Sequence, residues 1–200
     1  MDTQALFKIG CGLYVLTANE NNKDNGCIVN SVIQVTSNPC MVAVGVNKQN
    51  YTAEMISRTR KFNISTIAEG ANFELFKHFG FQSGRTVNKF ETFNDTKRSN
   101  NGVLYITQNT NSYMSAYVQQ KIDLETHIMF VGQLVEAECL SDSPTVTYDY
   151  YQKNIKPKPE KTEKSGWRCK ICGYIYEGED LPADYICPLC KHGASDFEKI

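Results

Sequence analysis

The sequence has little that would commit it to nucleic acid, membrane or disulfide chemistry. Its 21 Lys+Arg and 22 Asp+Glu give a formal net charge of −1. The two signs are intermixed, which leaves no basic footprint for a polyphosphate backbone. No apolar run approaches the ~20 residues that a bilayer requires. The N-terminal MDTQALFKIG has neither the basic n-region nor the apolar h-region of a secretory signal, so a cytoplasmic location is expected. Internal repeats are missing, and so is the dinucleotide fingerprint G-x-G-x-x-G. Gly10-Cys11-Gly12 is a bare G-x-G without a strand before it. Of eight cysteines, Cys11, Cys27, Cys40 and Cys139 lack any motif spacing and sit among apolar residues. They read as buried free thiols in a reduced compartment.

The other four cysteines are a different matter. Cys169-x-x-Cys172 and Cys187-x-x-Cys190 form two knuckles separated by 14 residues (187 − 172 − 1), within the final segment 166–200. Four thiolates so arranged enclose one tetrahedral ion, either a structural zinc or a one-electron iron. Spacing alone leaves that choice open. Gly173 after the first knuckle and Pro188-Leu189 inside the second favour iron, because such knuckles aim backbone N–H groups at sulfur. Trp167, Tyr174, Tyr176 and Phe197 give this short segment an aromatic core. Its four Lys/Arg against six Asp/Glu make it mildly acidic, either a solvated surface or a docking face for a basic partner.

Two hundred residues imply a further domain of about 150 before the knuckles. The boundary falls in Lys153–Ser165, charged, with two prolines and a single aliphatic residue, which reads as a semi-extended linker. The expected division is 1–152, 153–165 and 166–200. Before the linker, β-branched and aromatic runs predict strands over Gly12–Ala18, Cys27–Thr36, Met41–Val46, Asn63–Ile67, Val103–Ile106, Tyr113–Lys121 and Ile128–Glu138. Helices are expected over Thr52–Lys61 and Phe73–Phe79, opened by Asn50 and Asn72, with a short one at Thr3–Ile9. Many antiparallel strands and few helices predict a mainly β barrel rather than a doubly wound sheet.

Two places in this domain suit a phosphate. The strand Met41–Val46 runs into Asn47-Lys-Gln-Asn-Tyr-Thr52 and then a helix, whose N-terminal N–H groups attract anions. Ser83-Gly84-Arg85 forms a basic turn, with Lys89 four residues on. Taken singly, the first is equally an N-capped helix and the second a solvated turn.

The string C-K-I-C-G-Y-I-Y…C-P-L-C…F resembles rubredoxin across 166–200, in the trimmed form attached to rubrerythrins. Over most of 1–152 the motifs G-L-Y-V-L-T, N-G-C-I-V-N-S-V-I-Q-V-T-S-x-P, V-N-K-Q-N-Y-T, F-G-F-Q-S-G-R-x-x-N-K-F and H-I-M-F-V-G-Q-L-V resemble the flavin reductase-like, FMN-binding split barrel family. The resemblance implies that Asn30, Ser31, Val32, Ile33 and Gln34 line the isoalloxazine. It implies that Asn47, Lys48, Asn50, Tyr51 and Thr52 hold the FMN phosphate, and that Phe79, Gly80, Ser83 and Arg85 close the pocket. Asn88 departs from the motif, which commonly has aspartate there, and this leaves the role of Lys89 open. His127 would lie near flavin and nicotinamide as a neutral hydrogen-bonding ring, or else is a strand-end histidine. Cys169, Cys172, Cys187 and Cys190 would bind the iron.

As a whole the chain resembles the high-molecular-weight rubredoxins. That implies NAD(P)H, with NADH favoured, as donor, FMN and one FeS4 iron as cofactors, and an external redox protein such as a flavodiiron O2/NO reductase as acceptor. A homodimer is also implied. Two rival readings are a plain NAD(P)H:flavin reductase with a structural zinc module, and a non-enzymatic flavoredoxin-like carrier.

Overall fold

The computed structural model describes residue 5 and residues 8–157 and 166–200. Most of the expected helix Thr3–Ile9 and the linker residues 158–165 lie outside the described residues. Among the described residues no helix is long and apolar enough to cross a membrane.

The larger unit is built on strands β1 (Tyr14–Glu20), β2 (Lys23–Val29), β3 (Val32–Ser37), β4 (Cys40–Asn47), β5 (Lys61–Ile67), β8 (Thr110–Leu124) and β9 (His127–Cys139). They pair in the order β2-β1-β5-β8-β9-β4-β3, every pairing antiparallel. Between β4 and β5 comes α1 (Tyr51–Thr59), and after β5 comes α2 (Phe73–Gly80). The small hairpin β6 (Thr96–Arg98) and β7 (Leu104–Ile106) pairs by itself.

Strands β1, β4 and β5 are buried along most of their length, whereas β3 and the far end of β8 are exposed. Leu16, Val44, Phe62, Ile64 and Phe130 point inward and pack with Met55 and Ile56 of α1. Val15, Ile67 and Ile106 point the other way and meet Leu75, Phe76 and Phe79 of α2. Each such fully buried side chain contributes about 1.5–3 kcal/mol before entropy is subtracted. The β6–β7 hairpin is fastened to this sheet by a buried amide: Asn63 Nδ2 donates to Ser99 Oγ and to Val103 O, both at 2.8 Å.

Three sequence expectations change. The run Cys27–Thr36, expected as one strand, is two. The chain pairs with β1 as far as Val29 and with β4 from Val32, and Asn30-Ser31 carry it across. Ser31 fixes that crossing: its O accepts from Gly45 N at 3.1 Å and its Oγ donates to Gly45 O at 2.9 Å. Period-2 alternation runs through the break, so the pattern alone does not show it.

The second change is β8 and β9, which outrun their apolar cores to form a long hairpin. Its two-residue turn, Glu125-Thr126, puts Glu125 at φ 53°. The third lies where the linker was expected to begin. Residues 148–155 form a short helix, α3 (Tyr148–Tyr150), continued by a π-turn (Tyr151–Ile155). Thr147 Oγ1 caps it by accepting from Tyr150 N at 3.1 Å. The Tyr151 ring lies 4.6 Å from that of Phe76, and Ile155 packs on the same cluster.

The smaller unit is a three-stranded sheet, β11 (Ile175–Tyr176), β10 (Trp167–Cys169) and β12 (Phe197–Lys199), in that order. The expected aromatic core is present, with Tyr185 added edge-on to Phe197 at 5.4 Å.

Candidate functional site

Where β4 ends, Asn47 sits opposite His127, the first residue of β9. The chain then turns into α1. Asn47 Oδ1 accepts from Gln49 N at 2.8 Å, and Lys48 N donates to Thr126 O at 3.0 Å, so this turn is tied to the β8–β9 turn. Asn50 has extended backbone (φ −70°, ψ 124°) but makes no side-chain cap bond, so the cap position is filled by backbone geometry alone. The positive end of α1 is thus presented with Lys48 beside it. Lys48 Nζ pairs with Asp123 of β8.

A cavity of about 750 Å³ opens from this turn. Leu13, Ile28, Val29 and Phe76 make an apolar floor; Asn30, Ser31, Asn47, Lys48 and His127 make a polar rim. That is an ordinary size and lining for a cofactor site. Its remaining wall comes from the small unit: Ile171, Ile186, Cys190, Lys191 and His192 face the same space.

Seven residues expected at the pocket therefore meet there: Asn30, Ser31, Asn47, Lys48, Asn50, Gly80 and His127. The others stand elsewhere. Val32 packs on the barrel core, while Ile33 and Gln34 lie exposed on β3, where Gln34 Nε2 donates to Thr36 O at 3.2 Å. Thr52 is fully buried beneath α1, its Oγ1 accepting from Asn25 Nδ2 at 2.9 Å. Phe79 is wholly in the core. Arg85 pairs with Glu54 in the first turn of α1 and lies 5.2 Å from the Tyr51 ring. Ser83 Oγ accepts from Arg85 N at 3.3 Å. The basic turn is thereby brought to the helix start, which the sequence treated as a separate feature.

Lys89 is 2 % exposed, and its Nζ donates to Gly26 O and Phe79 O, both at 2.8 Å. It ties β2 to the end of α2 without needing an acidic neighbour at Asn88. Burial pulls this ammonium down to about 8, partly offset by Cys27. His127 is lowered by burial and then by His192, both of which favour the neutral ring. Its Nδ1 lies 2.9 Å from Thr126 Oγ1. Sequence reasoning did not place Leu13, Ile28, Phe76, Tyr148, Tyr151 or the second knuckle at this pocket. Each reaches the cavity only through long-range folding; the knuckle's own motif announces a metal, not this meeting.

In the small unit the sulfurs of Cys169, Cys172, Cys187 and Cys190 lie within 4.8 Å of one another. Cys169–Cys190 and Cys172–Cys187 approach to 3.5 and 3.4 Å. A tetrahedral ion with metal–sulfur bonds of about 2.3 Å needs sulfurs about 3.8 Å apart, so the set fits one ion. The knuckles supply the expected N–H groups: those of Cys172 and Ile171 reach Cys169, that of Tyr174 reaches Cys172, and that of His192 reaches Cys190. Gly173 holds φ +80°, the left-handed position this turn requires, and its N donates to Cys169 O at 2.8 Å. Lys191 holds the corresponding place in the second knuckle at φ 63°. The Cys169 thiol is pushed down by hydrogen bonds from Cys172 and Cys190, while those two are pushed up. Four sulfurs this close cannot all ionise without a cation among them.

A model of the flavin reductase like domain matches residues 6–158. The chain belongs to the flavin reductase-like family. A model of the rubrerythrin, rubredoxin-like domain matches residues 167–198. The chain is 35 % identical to the high molecular weight rubredoxin of Moorella thermoacetica over 230 aligned positions, covering all of both chains. It is 35 % identical to a ferric-chelate reductase (NAD(P)H) of Archaeoglobus fulgidus over 162 positions, 81 % of this chain and 95 % of that one. Among solved structures, the flavoredoxin of Methanosarcina acetivorans superposes with a TM-score of 0.60 at 26 % identity, over 66 % of this chain and 70 % of that one. This chain is accordingly an oxidoreductase: a flavin reductase-like barrel carrying a C-terminal rubredoxin-like module. The pocket's apolar floor and anion-ready helix start fit a flavin mononucleotide, and the four sulfurs fit iron.

Proposed function

We propose that the chain is an electron-transfer flavoprotein that takes hydride from NAD(P)H and delivers single electrons through the rubredoxin-like iron to an external redox protein. The observation that carries this reading is the shared wall: Cys190, one of the four sulfur ligands, lines the cavity that suits the flavin. When bound, FMN converts a two-electron hydride donor into a source of single electrons, and iron in four thiolates carries one at a time.

The division of labour among residues follows from their positions. Asn47, Lys48 and Asn50 at the start of α1 hold the phosphate. Asn30 and Ser31, fixed to Gly45, present backbone and side-chain groups to the ring system. Neutral His127 hydrogen-bonds a carbonyl of flavin or nicotinamide without adding charge. Hydride transfer needs no general base; it needs one ring held against the other, and the apolar floor of Leu13, Ile28, Val29 and Phe76 gives the ring system a surface to rest on. The barrel ends and the connecting segment begins near residue 157, and the cysteine module acts as the exit terminal. A homodimer is part of this reading. It is supported by exposed apolar residues on β3, β8 and β9, including Ile33 (61 %), Leu124 (46 %) and Val135 (51 %). A flavodiiron O2/NO reductase is the proposed class of acceptor, and the cytoplasm the proposed location.

The test is metal analysis and a visible spectrum of anaerobically purified native protein. One flavin and one iron per chain are expected. A colourless module holding only zinc would reduce the chain to a flavin reductase with a structural clip. A flavin that stays oxidised in NADH and NADPH would make it a carrier without reductase activity.

A further inference from the structure

The module touches the barrel at two places. The second knuckle, Cys190–Gly193 with Ile186, forms one wall of the cavity that suits the flavin. The first knuckle rests against the last turns of the barrel, where Gln152, Lys156 and Pro157 face Cys169, Lys170 and Cys172 across a smaller cavity. Between them, half-buried Lys156 donates from Nζ to Lys170 O at 2.9 Å. Arg168 lines the same smaller cavity. Arg168 is itself paired with Glu198. Tyr148, Tyr151 and Gln152 line the larger cavity together with Ile171 and Cys190. Residues 148–156 therefore form a shelf, and Lys156 is the cation on it that bonds the module.

The cavity that the second knuckle walls is also where a hydride donor has to stand. Its nicotinamide must stack on the ring system from the open side, since the opposite side is the packed floor of Leu13, Ile28, Val29 and Phe76. Two occupants cannot share that opening. Lys191 is held at φ 63° on this wall, a position costly for a side chain with a Cβ. That residue faces the flavin site rather than solvent alone.

Building on the function proposed above, we propose that the module docked on this shelf is the electron-transfer state, that Lys156 is the positioning residue that holds it, and that docking and nicotinamide binding exclude each other. Each hydride brings two electrons and the iron accepts one. One donor turnover therefore needs two docking events, with the external acceptor reoxidising the iron between them and, counted over the cycle, one proton released to solvent per hydride. A donor that binds only the undocked state pays for undocking in its apparent affinity, in proportion to the undocked fraction.

The experiment uses full-length holoprotein with Lys156→Glu and Lys156→Arg. Hydrogen exchange of the oxidised protein without donor reads docking directly. Anaerobic stopped-flow reads flavin reduction by NADH and flavin-to-iron transfer separately. In Lys156→Glu, exchange over residues 186–193 is expected to rise. Flavin-to-iron transfer should slow about tenfold, the equilibrium effect of losing one charge-assisted hydrogen bond. The apparent dissociation constant for NADH should fall in the same variant. Lys156→Arg should restore wild-type behaviour. Unchanged exchange and transfer rates, or both flavin reduction and onward transfer falling together, would overturn the proposal. A wild-type flavin that NADH does not reduce would defeat the function proposed above, while the exchange result would still decide whether Lys156 docks the module.

Discussion

Lys89 is a buried ammonium whose hydrogen-bond partners among the described residues are two backbone carbonyls, so it couples folding to pH in a direction opposite to most lysines. Its value in the fold is about 8, against 10.5 for an exposed lysine, and the side chain is 2 % exposed. The shift corresponds to about 3 kcal/mol between the two protonation states. The sign follows from proton counts. Between about pH 8 and 10.5 the unfolded chain holds this proton and the folded chain has released it, so stability rises with pH there. Below pH 8 both states are protonated and the penalty is present in full.

Lys89→Met removes the titration. Denaturant unfolding of flavin-free protein at several pH values, followed by far-UV circular dichroism of the barrel strands, gives stability for each. The wild-type minus Met difference should climb by about 3 kcal/mol from pH 8 to 10.5. Cys27 is also buried and its thiol is pushed up, which works in the opposite direction above its usual range. Because Cys27 and Lys89 feel each other's charge, both proteins are compared in a Cys27→Ala background, where the difference isolates Lys89. A flat or falling difference curve would refute the reasoning.

Cys169→Ser should lose the iron and its visible absorption while retaining flavin and its reduction by NADH, as read by metal analysis and stopped-flow; equal loss of both functions would count against separate roles. Gly132→Ala would place a Cβ 2.6 Å from Phe62 Cζ and 3.0 Å from Ala116 Cβ, both in the barrel interior. Overpacking there should cost about 1–3 kcal/mol, seen as a lower Tm; an unchanged Tm would show that the barrel core yields more easily than described. The Arg85 guanidinium holds the Glu54 carboxyl below its usual range. Both side chains are substantially exposed, at 45 % and 38 %, so Glu54→Gln should cost under about 1 kcal/mol. The small loss should appear at neutral pH and vanish as acid protonates Glu54 in the parent protein. A loss that persists unchanged at low pH would point to packing rather than charge.

What was legible in the sequence was whatever is encoded within a few residues. Cys169, Cys172, Cys187 and Cys190 announce a metal by spacing, and β4 running into α1 announces an anion site by strand, polar turn and helix. The strand content follows from β-branched runs. What depends on partners far along the chain was hidden. The break at Asn30-Ser31 exists because β2 and β3 choose different neighbours, 14 residues from Gly45, which fixes the crossing. Lys153 and Ile155 look like linker by composition but fold because Phe76 and its neighbours offer an apolar seat to Tyr151 and Ile155. Lys89, whose role the departure at Asn88 left open, is buried with its Nζ donating to two carbonyls from β2 and α2. The meeting of the second knuckle with the flavin cavity joins residues more than 60 positions apart, from His127 to His192, and no local pattern encodes it.

The most direct test of the electron path is an anaerobic titration with NADH, following flavin and iron absorption separately. The flavin takes two electrons and the iron one, so complete bleaching should require about 1.5 equivalents of NADH per chain. Both bands should fall, and the iron should reoxidise first when an acceptor is added. A flavin that bleaches while the iron band stays unchanged, or a flavin that stays oxidised throughout, would contradict a path from nicotinamide through flavin to the four cysteines.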